Sequence, residues 1–141
     1  MQAISLNSEN IMKSYYSLRI YVPDDKHDLV DRILGVKSNC PPFWELQLIE
    51  NEEDKYIPFV GYFLSILEGK YSQLEEIGIK REDISVWFVY YYDSQCNMEF
   101  SPKDMYDLGK EGITFCISCY DIHDRDADYV KPLDGEFRVS I

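Results

Sequence analysis

SYYSLRIYVPDDKHDLVDRILGVKSN, residues 14–39, changes its hydrophobic period half-way along. Tyr16, Leu18, Ile20 and Val22 alternate with Tyr15, Ser17, Arg19 and Tyr21, the period of two expected of a strand with one clearly apolar face. After Pro23 the spacing changes. Asp25 is suited to cap a helix, Asp28 would stand at its third position, Leu29, Val30, Ile33 and Leu34 form its apolar stripe, and Gly35 ends it. A strand followed directly by a short amphipathic helix already points to a domain that mixes the two kinds of element.

The following residues extend this pattern. Phe43 to Ile49 alternates again, with Trp44, Leu46 and Leu48 in phase, and the acidic run Glu50 to Asp54 reads as a solvated loop. Between Tyr56 and Ile79 the residues Phe59, Phe63, Ile66, Leu67, Leu74 and Ile77 recur near helical spacing. Pro58 suits a first turn there, and Gly69 divides the segment into two pieces or bends it. Ile84 to Tyr92, ISVWFVYYY, is apolar or aromatic on both faces, as a central strand requires. Asp93 to Asn97 reads as a turn and Met98 to Phe100 as a short returning strand. Ser101-Pro102-Lys103-Asp104 then combines a serine cap, a proline in the first position and an acid in the third; Met105 and Leu108 are expected to face inward, and Gly109 or Gly112 to end the helix. Ile113 to Tyr120 is the last strong strand pattern.

This order predicts an α+β fold, a single-domain two-layer sandwich with a mixed, mostly antiparallel sheet and its helices packed on one face. Residues 1–13 read as a flexible N-terminus, 14–120 as the domain, and 121–141 as an acidic connector with a C-terminal strand over Gly135 to Ile141, where Phe137, Val139 and Ile141 alternate. With 141 residues, 45% of them hydrophobic and 15% aromatic, the chain can bury roughly two thirds of its unfolded surface without staples.

Charge narrows the function. Fourteen basic residues against 26 acidic ones give a net charge of −12, which repels phosphate backbones and anionic membrane surfaces and attracts basic partners. Nucleic acid and membrane are therefore not expected as partners. The N-terminus has no apolar run long enough for a signal peptide, and the longest apolar stretch, Val86 to Tyr92, is far short of the roughly 20 residues of a membrane helix, so the cytoplasm is the expected compartment.

Cys116 and Cys119 form a C-x-x-C inside the last strand. Positions three apart on a strand point to opposite faces about 10 Å apart, beyond the ~7 Å limit for a bridge. These two, with Cys40 and Cys96, are expected to be reduced, buried and structural. Asp124, Asp126 and Asp128 have the alternating spacing of a calcium loop, but Tyr129 stands where that loop needs glycine and Gly135 where it needs a closing glutamate. The stretch reads as a solvated connector, and no cofactor is expected. Phosphate-binding glycine loops, serine elbows and zinc-protease motifs do not occur, and His27 and His123 have no sequence context of catalysis.

YYSLRIYVPDDKHDLVDRILGVKSN, FWELQL and EDISVWFVYYYDSQCNMEFSPKDMYDLGKEGITFCISCYD, together with the helical stretch between them, resemble the bacterial domain-of-unknown-function family 4279 over Tyr15 to about Asp121. The landmarks are the Ile33–Gly35 helix end, the tryptophan strand at Trp44, and the helix-Gly-strand passage from Gly109 to Tyr120. The resemblance implies a small bacterial α+β protein and brings no catalytic residues with it.

The side of the strands away from the helices, on which Ser17, Arg19, Glu45, Trp87 and Tyr91 fall, is left amphipathic. Its candidate binding residues are Tyr15, Arg19, Tyr21, Trp87, Tyr91 and Tyr120, a mixture of Tyr, Trp and Arg of the kind enriched at protein interfaces. Three readings follow. The first is a non-catalytic protein-binding module for a basic protein partner, of which immunity proteins that neutralise basic toxins are one type. The second is a self-associating structural module that forms a homodimer, and the third is a small-ligand sensor or enzyme with a site between sheet and helices. The C-terminal segment folded over this face is the structural alternative to all three.

Overall fold

A computed structural model of the protein describes residues 13–50 and 57–123. Four strands, β1 (Tyr15–Ile20), β2 (Trp44–Ile49), β3 (Ile84–Tyr92) and β4 (Thr114–Asp121), form one sheet in the order β2-β1-β3-β4. β1 runs antiparallel to both β2 and β3, and β4 lies parallel to β3. The connections carry α1 (His27–Leu34), α2 (Phe59–Leu67), α3 (Tyr71–Glu76) and α4 (Pro102–Glu111). The parallel pair requires a crossover, which α4 supplies. The fold is α+β with a mixed sheet.

A single core follows from strand parity. Leu18 and Ile20 of β1, Trp44 and Leu46 of β2, and Ile84 and Val86 of β3 pack with Val30 and Leu34 of α1, Phe59, Val60, Phe63, Ile66 and Leu67 of α2, Leu74 of α3 and Leu108 of α4. Trp44 is fully buried, and its indole N–H donates to Asp31 Oδ1 at 2.8 Å, so the largest side chain of the core also meets its one polar requirement.

Helix ends follow local chemistry in most places. α1 stops at Gly35, whose φ of 77° lets its N–H return to the Asp31 carbonyl at 2.8 Å. Ser101 caps α4 by accepting from the Asp104 N–H at 3.0 Å, with Pro102 in the first turn, and Gly112 closes the helix with a φ of 74°.

Four expectations are corrected. Asp25 does not cap α1: Asp24–Lys26 forms a 3-10 turn, the helix begins at His27, and no side chain caps it. Lys26 is instead drawn away to the Ile77 carbonyl, 2.8 Å from Nζ. Met98 to Phe100 pairs with no strand, and Phe100 instead packs edge-on against Phe88 of β3 and Phe115 of β4. Met105 points outward at 38% exposure, since Leu108 alone of this helix reaches the core. Glu45 was expected on an amphipathic surface and is completely buried. Residues 51–54 of the acidic loop, the Asp124, Asp126 and Asp128 set, and the expected C-terminal strand lie outside the described residues.

Candidate functional site

The sheet face opposite the helices contains a cation–ring pair and a stacked tyrosine pair. Arg19 stands opposite Glu45 across the β1–β2 ladder and diagonal to Trp87 across the β1–β3 ladder. Its guanidinium carbon lies 4.1 Å from the Trp87 ring centroid, and its Nε donates to Glu45 Oε2 at 3.1 Å. Ser17 Oγ and Gln47 Nε2 donate to the same oxygen at 2.6 and 3.2 Å. Nearer the other end of β3, Tyr91 stacks on Tyr120 with centroids 5.4 Å apart, and the Tyr91 N–H donates to Ser14 Oγ at 3.1 Å.

The structure therefore joins Arg19 with Trp87 and Tyr91 with Tyr120. Tyr15 does not share their surface, being only 5% exposed between Ile49 and Val89. Tyr21 lies past the last residue of β1 and is almost wholly exposed. Ser17 and Val89 are buried between the two pairs and Glu45 is buried on the β2 side of Arg19, so the centre of this face is closed and its polar groups are directed at one another. Among the described residues, Glu45 Oε1 and Arg19 Nη2 have no hydrogen-bond partner.

On the helix side lies a cleft of about 560 Å³ that the sequence did not reveal. Tyr16, Phe59, Phe88, Tyr90 and Phe100 line it. Tyr16 stacks on Phe59 at 4.1 Å and on Phe88 at 4.6 Å, while Phe100 meets Phe88 edge-on at 6.0 Å and Phe115 at 4.9 Å. These rings come from β1, β3, α2 and the 93–101 connection. The last of these supplies the polar rim of Asn97, Glu99, Ser101 and Asp104. Alternate residues of β1 and β3 carried the signal, with Tyr16, Phe88 and Tyr90 all in the helix-facing phase. Nothing in the sequence placed Phe100 across from them.

The cleft is suited to binding. Among the described residues Ser101 is its only lining hydroxyl besides the tyrosines, that oxygen accepts from the Asp104 N–H, and no histidine or cysteine lines the wall. His27 stands 3.9 Å from Asp24, and His123 meets Asp93 at 2.6 Å near the end of β4. The hydrogen bond that the imidazole N–H donates to the Asp93 carboxylate, and then that carboxylate's charge, hold His123 above its ordinary pKa. No group of three or more metal-ligating side chains occurs among the described residues.

Cysteine placement divides the sequence expectation in two. Cys116 pairs with Trp87 and Cys119 with Tyr90, three positions apart on opposite faces of β4, so the C-x-x-C does not bring its sulfurs together. Burial holds for Cys40 only: Cys116 is half-buried, and Cys96 and Cys119 are exposed.

A scan against protein-family models, a search of curated proteins and a search of solved structures each found no match. Among the described residues no helix is long and apolar enough to cross a membrane.

Proposed function

We propose that this chain is a non-catalytic binding module for a basic protein partner, with the aromatic cleft receiving a cationic side chain of that partner. The observation that carries this reading is a cleft walled by five aromatic rings with Glu99 and Asp104 at its rim, in a chain of net charge −12. Ring faces attract ammonium and guanidinium groups, more strongly where water is displaced. The surplus of carboxylates steers a basic partner towards the surface and disfavours nucleic acid. An immunity-like role, action in the cytoplasm and kinship with the bacterial family resembled in sequence belong to the same proposal. The closed centre of the opposite face supports the cleft, and not the sheet surface, as the receiving site.

The test is an NMR titration of the full chain with a short arginine-containing peptide and its citrulline counterpart. Saturable shifts centred on Tyr90 and Phe100, absent with citrulline and weakened about tenfold or more by Phe100→Leu or Glu99→Gln, are expected. Shifts scattered over the acidic surface and unaffected by Phe100→Leu would reject the cleft as the site.

A further inference from the structure

Two thiols far apart in sequence meet at the end of the parallel strand pair. Cys96 lies in the connection between β3 and α4, and Cys119 lies near the end of β4. The Cys96 and Cys119 thiols share a hydrogen bond across 3.4 Å, and both residues are exposed. The approach is built by the backbone. Asp93 and Ser94 turn the chain as it leaves β3, with Ser94 at a φ of 68°, a left-handed conformation uncommon for a residue with a side chain, and with the Gln95 N–H returned to the Asp93 carbonyl at 2.8 Å. Two further ties hold the point where the connection leaves β3 to the residues just past β4: the Ile122 N–H reaches the carbonyl of Tyr92, the last residue of β3, at 3.0 Å, and His123 meets Asp93 at 2.6 Å.

We propose that Cys96 and Cys119 are a reversible oxidation site, closing to an intramolecular disulfide under peroxide and tying the 93–101 connection to β4. The chemistry needs only the two thiols and hydrogen peroxide. A Cys96 thiolate attacks one peroxide oxygen, the O–O bond breaks, hydroxide leaves and a sulfenic acid forms. Cys119 then attacks the sulfenic sulfur, the S–O bond breaks, and a second hydroxide leaves. The two thiol protons convert both hydroxides to water, so two sulfurs are each oxidised by one electron and one peroxide is reduced to two waters. Sulfurs 3.4 Å apart need about 1.4 Å of further approach to reach the ~2.0 Å of a disulfide.

Electrostatics sets the character of the site. Partial burial of the thiol, and then its hydrogen bond with Cys96, push Cys119 up to about 11. Its thiolate is scarce at neutral pH, so closure is slow there and quickens as pH rises. The same property makes Cys119 a poor leaving group, so a reducing thiol that attacks the Cys119 sulfur and expels Cys96 is the faster route to reopening. The site stands independently of the binding reading, although Asn97, Glu99, Phe100 and Ser101, which follow Cys96, form one wall of the cleft.

The experiment treats the reduced full chain with hydrogen peroxide, counts free thiols and maps the linked peptides by mass spectrometry. The expected result is a fall from four free thiols to two, a loss of about 2 Da, and one cross-linked pair joining Cys96 to Cys119, all reversed by dithiothreitol. Cys96→Ser and Cys119→Ser should each abolish the link, while Cys116→Ser and Cys40→Ser retain it. Peptide mapping of the unmodified chain decides the matter even if a variant fails to fold. A link through Cys40 or Cys116, disulfide-joined dimers, or sulfinic acids without a link would overturn the proposal.

Discussion

Arg19 is held between Glu45 and the face of Trp87, its Nε 3.1 Å from the carboxylate and its guanidinium carbon 4.1 Å from the ring centroid. Glu45 is completely buried, and the Arg19 side chain is 15% exposed. A buried ion pair stabilises little against an apolar replacement of the same shape, but losing one partner leaves the other charge without compensation. Glu45→Ala is expected to cost about 3–5 kcal/mol, whereas the double change Arg19→Met with Glu45→Leu should remain within about 1 kcal/mol of the parent or exceed it. Urea denaturation of Arg19→Met, Glu45→Leu and their double variant measures the coupling.

Asp31 joins α1 to the buried indole of Trp44 at 2.8 Å and also accepts from the Ser38 N–H at 3.3 Å. Asp31→Ala would leave the indole N–H unpaired inside the core, at a cost of about 1.5–3 kcal/mol, and Asp31→Asn, which keeps an acceptor, should cost less. Tryptophan fluorescence during urea unfolding reads both.

Ser101 accepts the Asp104 N–H at the start of α4, in the segment that forms the cleft rim. Ser101→Ala is expected to lower stability by about 1 kcal/mol, and Ser101→Asp to recover most of it. Faster amide exchange confined to Asp104 and the first turn of α4 would identify the cap as the origin of the loss.

His123 and Asp93 form an exposed pair at 2.6 Å. The folded histidine titrates above the ordinary value of 6.5, so the stability that the pair contributes is fully present below that value and is lost as pH rises through the folded pKa. An NMR titration of the imidazole should give a midpoint above 6.5 in the parent and a lower one in Asp93→Asn. Identical midpoints in the two would show that the carboxylate is not the cause.

Element types were legible because period and punctuation agreed over long runs. Leu18, Ile20, Trp44 and Leu46 alternate in phase and bury together, and Ser101 to Asp104 starts a helix as its residues direct. Boundaries set by competition were not legible. Asp25 lost its capping role once residues 24–26 tightened into a 3-10 turn and Lys26 found a carbonyl 51 positions away. Glu45 looked like a surface residue because its burial depends on three donors from two strands. The cleft and the Cys96–Cys119 meeting share one cause. Both arise where the irregular 93–101 connection crosses the sheet, and the path of such a segment is set by tertiary packing, which local periodicity does not encode.

The central position of β1 has a consequence for the order of assembly. It is the earliest of the four strands along the chain, yet its second edge is filled only by β3, where Tyr15 meets Val89 and Ile20 meets Ile84. A growing polypeptide can form the β1–β2 ribbon early but must keep the other side of β1 open until more than half its length has been made. Such distant pairing slows folding and exposes an unpaired apolar strand while it lasts. A fragment that ends before Ile84 would retain that open edge permanently and is expected to associate with copies of itself.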